Sequence, residues 1–469
     1  KVAMGSEPLS NTIWGLNLNW KKECQWLTNM LEKIPFLNVS QPSYIQFNAE
    51  FAQLIAGQAS GTQDNASYLD DFENTKSALS VGTPSSWIIS SVPSMFPAEA
   101  RDKTTLAGGY HRARLAWYNI DPLFTRRSST LTPSHIKGDL EQLSNHYVRE
   151  VYAREVYPNR DLSSYGEGAV NTLNILNLAY YPAERGPYNF SPNLTSKGLL
   201  ERPQDSWGGM MRKLDSPDFE AANIEYIEFW MLDPFIYTRR EGKASQYGGD
   251  LYFNLGEMSE DILHDGKKFY ESGMSVDGKD QYTFTQWGKV PQQSMVTYAF
   301  ATSSGSRAKQ DVGLNGLTDD EEQTFESYQP FIETARAKVE PQIFDSIYAD
   351  PANDNYVYFR GDKWDRMQAS ILDRYKYINN PQGNSPDSET RSERYDTSYK
   401  TTPDVEDINQ DYTLNETEKY YQYKVSVRDE DLEVGKNFIV DKRVASVGLR
   451  NGKTEEATWY LFRIPLKTP

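Results

Sequence analysis

The chain has 469 residues, with 66 acidic against 49 basic side chains and a formal net charge of −17. That length holds two or three compact units with real cores, and so acidic a surface repels phosphate backbones, which argues against nucleic acid as a partner. One cysteine, Cys24, excludes an internal disulfide, and the histidines (His111, His135, His146 and His264) lack any zinc-ligand spacing. Tyrosine dominates a large aromatic fraction while mean hydropathy is low, at −0.70, a balance that suits β-rich surface proteins. No apolar run is long enough for a transmembrane helix. The start at Lys-Val-Ala-Met reads as an internal cut in something larger.

Residues 12 to 20 place Trp14, Leu16, Leu18 and Trp20 on one face, with Asn17 and Asn19 on the other. Residues 44 to 55 repeat the device, with Ile45, Phe47, Ala49 and Phe51 opposite Gln46, Asn48 and Glu50. Between them Trp26, Leu27, Met30, Leu31 and Ile34 recur at helical spacing until Pro35. Such a pair is read either as an ordinary hairpin or as two strands of an outer-membrane barrel. The segment 58–66 is a linker, SYLDDFEN a short strand, SSWIISSVP another, and Ala113, Leu115 and Trp117 a third. Leu140, Leu143, Tyr147 and Val151 predict one helix over 139–157, stopped by Pro158.

From Ile224 to Leu232 the residues are mostly β-branched or aromatic, which predicts a central strand covered on both faces and ended by Pro234. Gly248-Gly249 turns the chain into a half-buried strand at Asp250–Leu255. Ser259 precedes a short helical stretch around Ile262 and Leu263. Thr318 and Glu321 form a capping box that opens a helix including Phe325, interrupted by Pro330. Trp364, Met367, Ile371 and Tyr375 mark a further helix, and 385–403 reads as a mobile loop. Strands return at YYQYKVSVR and NFIVD, and Asn451-Gly452 is a hairpin turn into ATWYLFRIP.

The predicted fold is mainly β: a jelly-roll or galactose-binding-like β-sandwich with helical insertions, preceded by a barrel-type strand pair. Its predicted core includes Ile227, Phe229, Leu251, Phe253, Val425 and Trp459. The expected divisions are 1–57, 58–305, an acidic and partly helical 306–418, and returning strands at 419–469.

The strongest local chemistry is calcium-like. Asp407, Asn409, Asp411, Asn415 and Glu418 follow the ligand spacing of an EF-hand loop, with Tyr412 where a glycine is usual. Asp311, Asn315, Asp319 and Glu322 make a second loop, in which Gly313 takes a ligand position. The competing reading is an acidic turn and, for the second loop, a helix N-cap. Catalytic motifs are absent, and Asp70-Asp71 with Glu73 read as a solvated strand edge rather than a glycosidase pair. Trp87, Trp117, Trp230 and Trp459 suit either a carbohydrate-stacking surface or a core.

The runs LSNHYVREVYAREVYPNRDL, LNLAYYPAERGPYNFSPNLT, RPQDSWGGMMRKLDSPDFEAANIEYIEFWMLDPF and GGDLYFNLGEMSEDILHDGKKFYESG resemble the SprA/Sov family. So do RARLAWYNIDPLF, QDVGLNGLTDDEE and DVEDINQDYTLNETEKYYQY. The resemblance implies the outer-membrane translocon of the Bacteroidota type IX secretion system, linked to gliding motility. It implies an internal segment of one giant β-barrel protein, extracellular cap or pore lining, and no enzymatic activity. Implied partners are the rest of that barrel, a PorV-type cargo-receiving barrel protein, a periplasmic plug and secreted cargo. A carbohydrate-binding module of a surface protein is the alternative reading.

Overall fold

The computed structural model describes residues 11–36, 41–55, 79–125, 129–158, 172–216, 218–276, 282–292, 297–385 and 399–466. The linker at 58–66, the SYLDDFEN strand with Asp70, Asp71 and Glu73, and most of the 385–403 loop lie outside them. The chain divides into two compact units, 1–78 and 79–469.

In the first unit, strand β1 (Thr12–Glu23) and strand β2 (Tyr44–Ile55) flank a helix at Gln25–Leu31. The strands pair antiparallel without a break, from Thr12 opposite Ile55 to Glu23 opposite Tyr44. Residues directly opposite in such a pair share a face. One face therefore carries Trp14, Leu16, Leu18, Trp20, Ile45, Phe47 and Phe51. The other carries Asn17, Asn19, Lys21, Gln46, Asn48 and Glu50. Both faces are exposed along almost the whole ribbon.

Among the described residues of the second unit the strands form small sheets, the largest of three strands, with no closed barrel. Strand (28%) exceeds helix (23%) only narrowly, so the helices are a substantial part of the fold. The three-stranded sheet runs Ile439–Gly448, Thr454–Pro465, Tyr226–Leu232 in spatial order. The strand expected at the centre, Tyr226–Leu232, is thus an edge, and Thr454–Pro465 is central. The sequence reading mistook its two-sided apolarity for a central position. Ile227, Phe229 and Met231 face a core shared with Tyr460, Phe462, Ile464, and with Leu251, Phe253 and Val425 of the Gly249–Glu257/Lys419–Val427 pair. Trp230 and Leu232 face the other way, packing with Trp459, Val151 and Val156. Trp459 is a core residue, but of that second face.

A larger core joins segments from Ile89 to Ala352 around Tyr188, Phe190, Trp287, Tyr328 and Phe331. Two helices that the sequence did not announce, Gln329–Lys338 and Pro341–Ala349, border it. Pro330 sits in the first turn of the former, where its missing N–H costs nothing, so it starts that helix instead of interrupting one. The capping box at Thr318 and Glu321 is present, but its helix spans only Asp319–Glu322. The predicted 139–157 helix is broken into Leu140–Leu143, the two-residue strand Val151–Tyr152, and Ala153–Val156. Around Ile262 no helix forms, because two buried carboxylates take the local amides. The Trp364 helix spans only Asp362–Arg366, and Met367 is left exposed.

Candidate functional site

The first acidic loop is folded around its own backbone. Buried Asp407 accepts from the Asp411 amide at 3.0 Å and the Tyr412 amide at 2.9 Å. It also accepts from Lys268 Nζ at 2.7 Å and from the Tyr298 hydroxyl. Asn409 Oδ1 and Asp411 Oδ1 each accept from the amide two residues on, at 2.8 Å. Tyr412 adopts a left-handed φ of 68°, so the sharp turn survives without its glycine. Asn415 caps Thr417, and Glu418 turns into a shallow cleft with Arg101, Lys103 and His264. The positive charge at Asp407 is the Lys268 ammonium.

A second acidic group, Asp261, Asp265 and Glu406, brings carboxylate oxygens within 4.8 Å of one another. Glu406 accepts from the amides of Ile262 at 2.7 Å and Phe269 at 3.0 Å. Asp261 accepts from the amides of Asp265 at 2.9 Å and Gly266 at 2.8 Å. The oxygens of Asp261 and Glu406 each have an amide donor, and no unpartnered buried acid stands beside them among the described residues, so these carboxylates shape a loop. Burial, reinforced by the Asp261 charge, pushes the Asp265 carboxyl up to about 6.

The third group differs. Of the predicted loop Asp311, Asn315, Asp319 and Glu322, Asp311 leaves the cluster to accept from the amides of Gly383 at 3.0 Å and Ser385 at 2.6 Å. Asp319 and Glu322 stay together on one helical turn and meet Asp350, with oxygens of all three within 4.8 Å of one another. Asp350 follows the Pro341–Ala349 helix. The chain then reverses at Asn353, whose φ is 59°, and returns Ala352 and Asp354 beneath the Asp319–Glu322 turn. The Ala352 amide donates to Glu322 Oε2 at 2.9 Å, and Asn315 Nδ2 donates to Oε1 at 2.5 Å. Asp319 accepts from Asn355 Nδ2 at 3.0 Å and from Gln382 Nε2 at 3.2 Å, and Asp350 from the amides of Asp354 at 3.1 Å and Asn355 at 3.3 Å, so what sets this group apart is the acid next to it.

Asp354 is fully buried, and beyond the Tyr188 hydroxyl its carboxylate oxygens have no hydrogen-bond donor among the described residues. Space beside it is tight: a Cβ on Gly313, at φ 71°, would come within 2.6 Å of Asp354 Oδ2 and 2.9 Å of the Tyr188 hydroxyl. Burial first, then the charges of Glu322 and Asp350, raise the Asp354 carboxyl well above its usual range. Burial and Asp350 do the same to Glu322. Asp319 and Asp350 are also raised, mainly by burial. The sequence reading missed Asp350 and Asp354. The Asp-Pro-Ala-Asn-Asp-Asn run after an amphipathic helix was their only signal.

Of the tryptophans considered for sugar stacking, Trp117 and Trp459 are buried, and Trp87 donates to the Val81 carbonyl at 2.9 Å. They do not form one open platform.

Taken together, the described residues make an amphipathic strand pair and an acidic unit of mixed strands and helices with several cores. Residues 330–469 match the SprA_N family model, described as a motility related/secretion protein, which makes that stretch an SprA-family segment. The match includes Asp350, Asp354, the 407–418 loop and the last strands, and does not reach β1 and β2. No curated protein matches the chain. Among the described residues no helix is long and apolar enough to cross a membrane.

Proposed function

We propose that this chain is part of an outer-membrane protein-conducting channel of a secretion system, without catalytic activity of its own. The β1/β2 ribbon belongs to the barrel wall, and residues 79–469 form an extracellular cap or pore lining. The sorted faces of the ribbon carry this reading. Membrane strands run to about 9–11 residues and alternate apolar outward with polar inward; β1 and β2 have 12 residues each. An isolated two-stranded ribbon is marginal in water, and a face bearing Trp14, Leu16, Leu18, Trp20, Phe47 and Phe51 needs lipid or protein against it. Partners under this reading are the remainder of the same barrel, a PorV-type cargo-receiving protein, a periplasmic plug and the secreted cargo. The strands between 226 and 465 then belong to a jelly-roll or galactose-binding-like sandwich.

The test is spin-label accessibility in the full-length protein in outer membranes, with cysteines placed singly from position 16 to 19. Labels at Leu16 and Leu18 should collide with oxygen dissolved in lipid, and labels at Asn17 and Asn19 with a water-soluble nickel chelate. Equal access of water to all four positions would remove the ribbon from the barrel wall.

A further inference from the structure

We propose that Asp319, Glu322, Asp350 and Asp354 bind one hard divalent cation, with calcium as the fitting ion. The argument is geometric and does not rest on the secretion reading. Calcium sits about 2.3–2.6 Å from each oxygen ligand, so oxygens on opposite sides of one ion lie about 4.8 Å apart. The oxygens of Asp319, Glu322 and Asp350 fall within that span. Every candidate donor is oxygen; the group contains no histidine or cysteine, which disfavours zinc.

The second observation is independent of the clustering. Asp354 is completely buried beside these three acids, and the single Tyr188 hydroxyl is the one donor beside its two oxygens among the described residues. A buried carboxylate so short of donors costs several kcal/mol unless a counter-charge meets it (about 1–3 for the lost hydrogen bonds alone). Gln382 Oε1 is buried and unpartnered among the described residues, while its Nε2 donates to Asp319, so a neutral oxygen is also at hand. At Asp407 a lysine and two amides meet the charge, and no such acid stands beside Asp261 and Glu406 among the described residues; Glu418, whose oxygens are also buried and short of donors, lies apart in the cleft with Arg101, Lys103 and His264.

Charge completes the case. Among the cations, Arg185 and Arg114 act on Asp350, and Arg185 also acts on Glu322. Neither forms an ion pair there: Arg185 donates to the carbonyls of Asn189 at 2.7 Å and Pro351 at 2.6 Å, and Arg114 to that of Lys376 at 3.4 Å. With all four carboxyls ionised, as a bound ion would hold them, two guanidinium groups leave a formal charge of −2, which one divalent ion balances. Asp319 and Asp350 are partly exposed and Glu322 and Asp354 are buried, so an ion enters past the former pair.

The experiment uses the full chain, stripped with chelator at pH 7.5, and titrates calcium while following melting temperature and heat of binding. Terbium then reports the location, because Tyr188 and Tyr328 lie close enough to sensitise its luminescence. Calcium should raise the melting temperature by about 3 °C or more at saturation and should displace terbium. Glu322→Gln and Asp354→Asn should each weaken calcium at least tenfold, while raising the melting temperature of the stripped protein by removing a buried like charge. The mutants' higher melting point shows that they remain folded. No calcium response at pH 7.5, or terbium luminescence and calcium affinity unchanged in both variants, would overturn the site. The latter outcome would assign binding to other acids of the surface.

Discussion

Asn17 Nδ2 donates to Glu50 Oε1 at 2.9 Å across the β1/β2 ribbon, while on the opposite face Trp14 packs against Phe51 with ring centroids 5.2 Å apart. Polar and apolar contacts are thus sorted by side of the ribbon, in one unbroken register. A slip of one residue would exchange every side chain between the faces. The register is therefore under strong selection only if the two faces meet different surroundings.

That sorting sets the first prediction. In the full-length protein folded into lipid vesicles, Leu18→Arg should destabilise by about 2–4 kcal/mol, the cost of a cation at the bilayer midplane. Asn19→Arg, one residue away on the polar face, should cost little. Urea unfolding in vesicles measures both, and equal effects would count against a lipid-facing side.

The ribbon was also the most legible part of the chain, because twelve alternating residues on each strand leave little else for the sequence to mean. The helices at 329–349 were not legible. Pro330 looks the same whether it breaks a helix or opens one, and only the preceding turn at Glu326–Tyr328 decides. Tyr226–Leu232 was read correctly as strand and wrongly as central. Its two-sided cover comes from Val151 and Val156, far earlier in the chain, and not from strands on both sides.

The second prediction concerns the core where the two sheets meet. Phe462 is fully buried and stacks on Phe229 with centroids 4.9 Å apart and planes 5° from parallel. Phe462→Ala should destabilise by about 3–5 kcal/mol, through lost burial and the cavity left behind. Tyr421, on the outer side of the Lys419–Val427 strand, is 77% exposed. Tyr421→Ala should be close to neutral, and thermal unfolding of the two variants checks the contrast.

The candidate site was only half legible. Spacing within one loop brought out Asp319 and Glu322, but their companions come from a turn about one hairpin away in sequence, after the Pro341–Ala349 helix. Spacing also nominated Asp311, Asp407 and Asp411. In the fold Asp407 and Asp411 satisfy amides a few residues on, as Asp and Asn do in most tight turns, while Asp311 satisfies those of Gly383 and Ser385, far along the chain.

The third prediction follows from two structural acids, Asp311 and Asp265 of the loop beside Asp261 and Glu406. Burial pushes Asp311 up to about 7 and Asp265 up to about 6, from an ordinary 3.8. Both bind protons more tightly folded than unfolded. Their contribution to stability is therefore complete below about pH 4 and is lost as pH rises through about 6 and about 7. Urea unfolding under chelation should show stability falling between pH 5 and 8. Asp311→Asn, which keeps an acceptor for one of the two amides, should flatten that fall. An unchanged slope would mean that Asp311 is charged throughout.

The last prediction tests what balances the 407–418 loop. Asp407 is buried, and Lys268 Nζ at 2.7 Å is the cation that meets it, with the Tyr298 hydroxyl on the same oxygen. Removing one partner of a buried pair leaves the other charge uncompensated, at a cost of about 3–5 kcal/mol. Lys268→Met should therefore destabilise strongly. The double change Lys268→Met with Asp407→Asn should recover much of the loss, because the amide still accepts from the turn and carries no charge. Hydrogen exchange gives the second readout. With Lys268 in place, the amides of Asp411, Tyr412 and Thr413 should keep the same protection with calcium and with chelator, since their acceptors are Asp407, Asn409 and Asp411 and not an ion. Protection that collapsed on chelation would show that Lys268 alone does not hold this loop and that a metal ion shares its place.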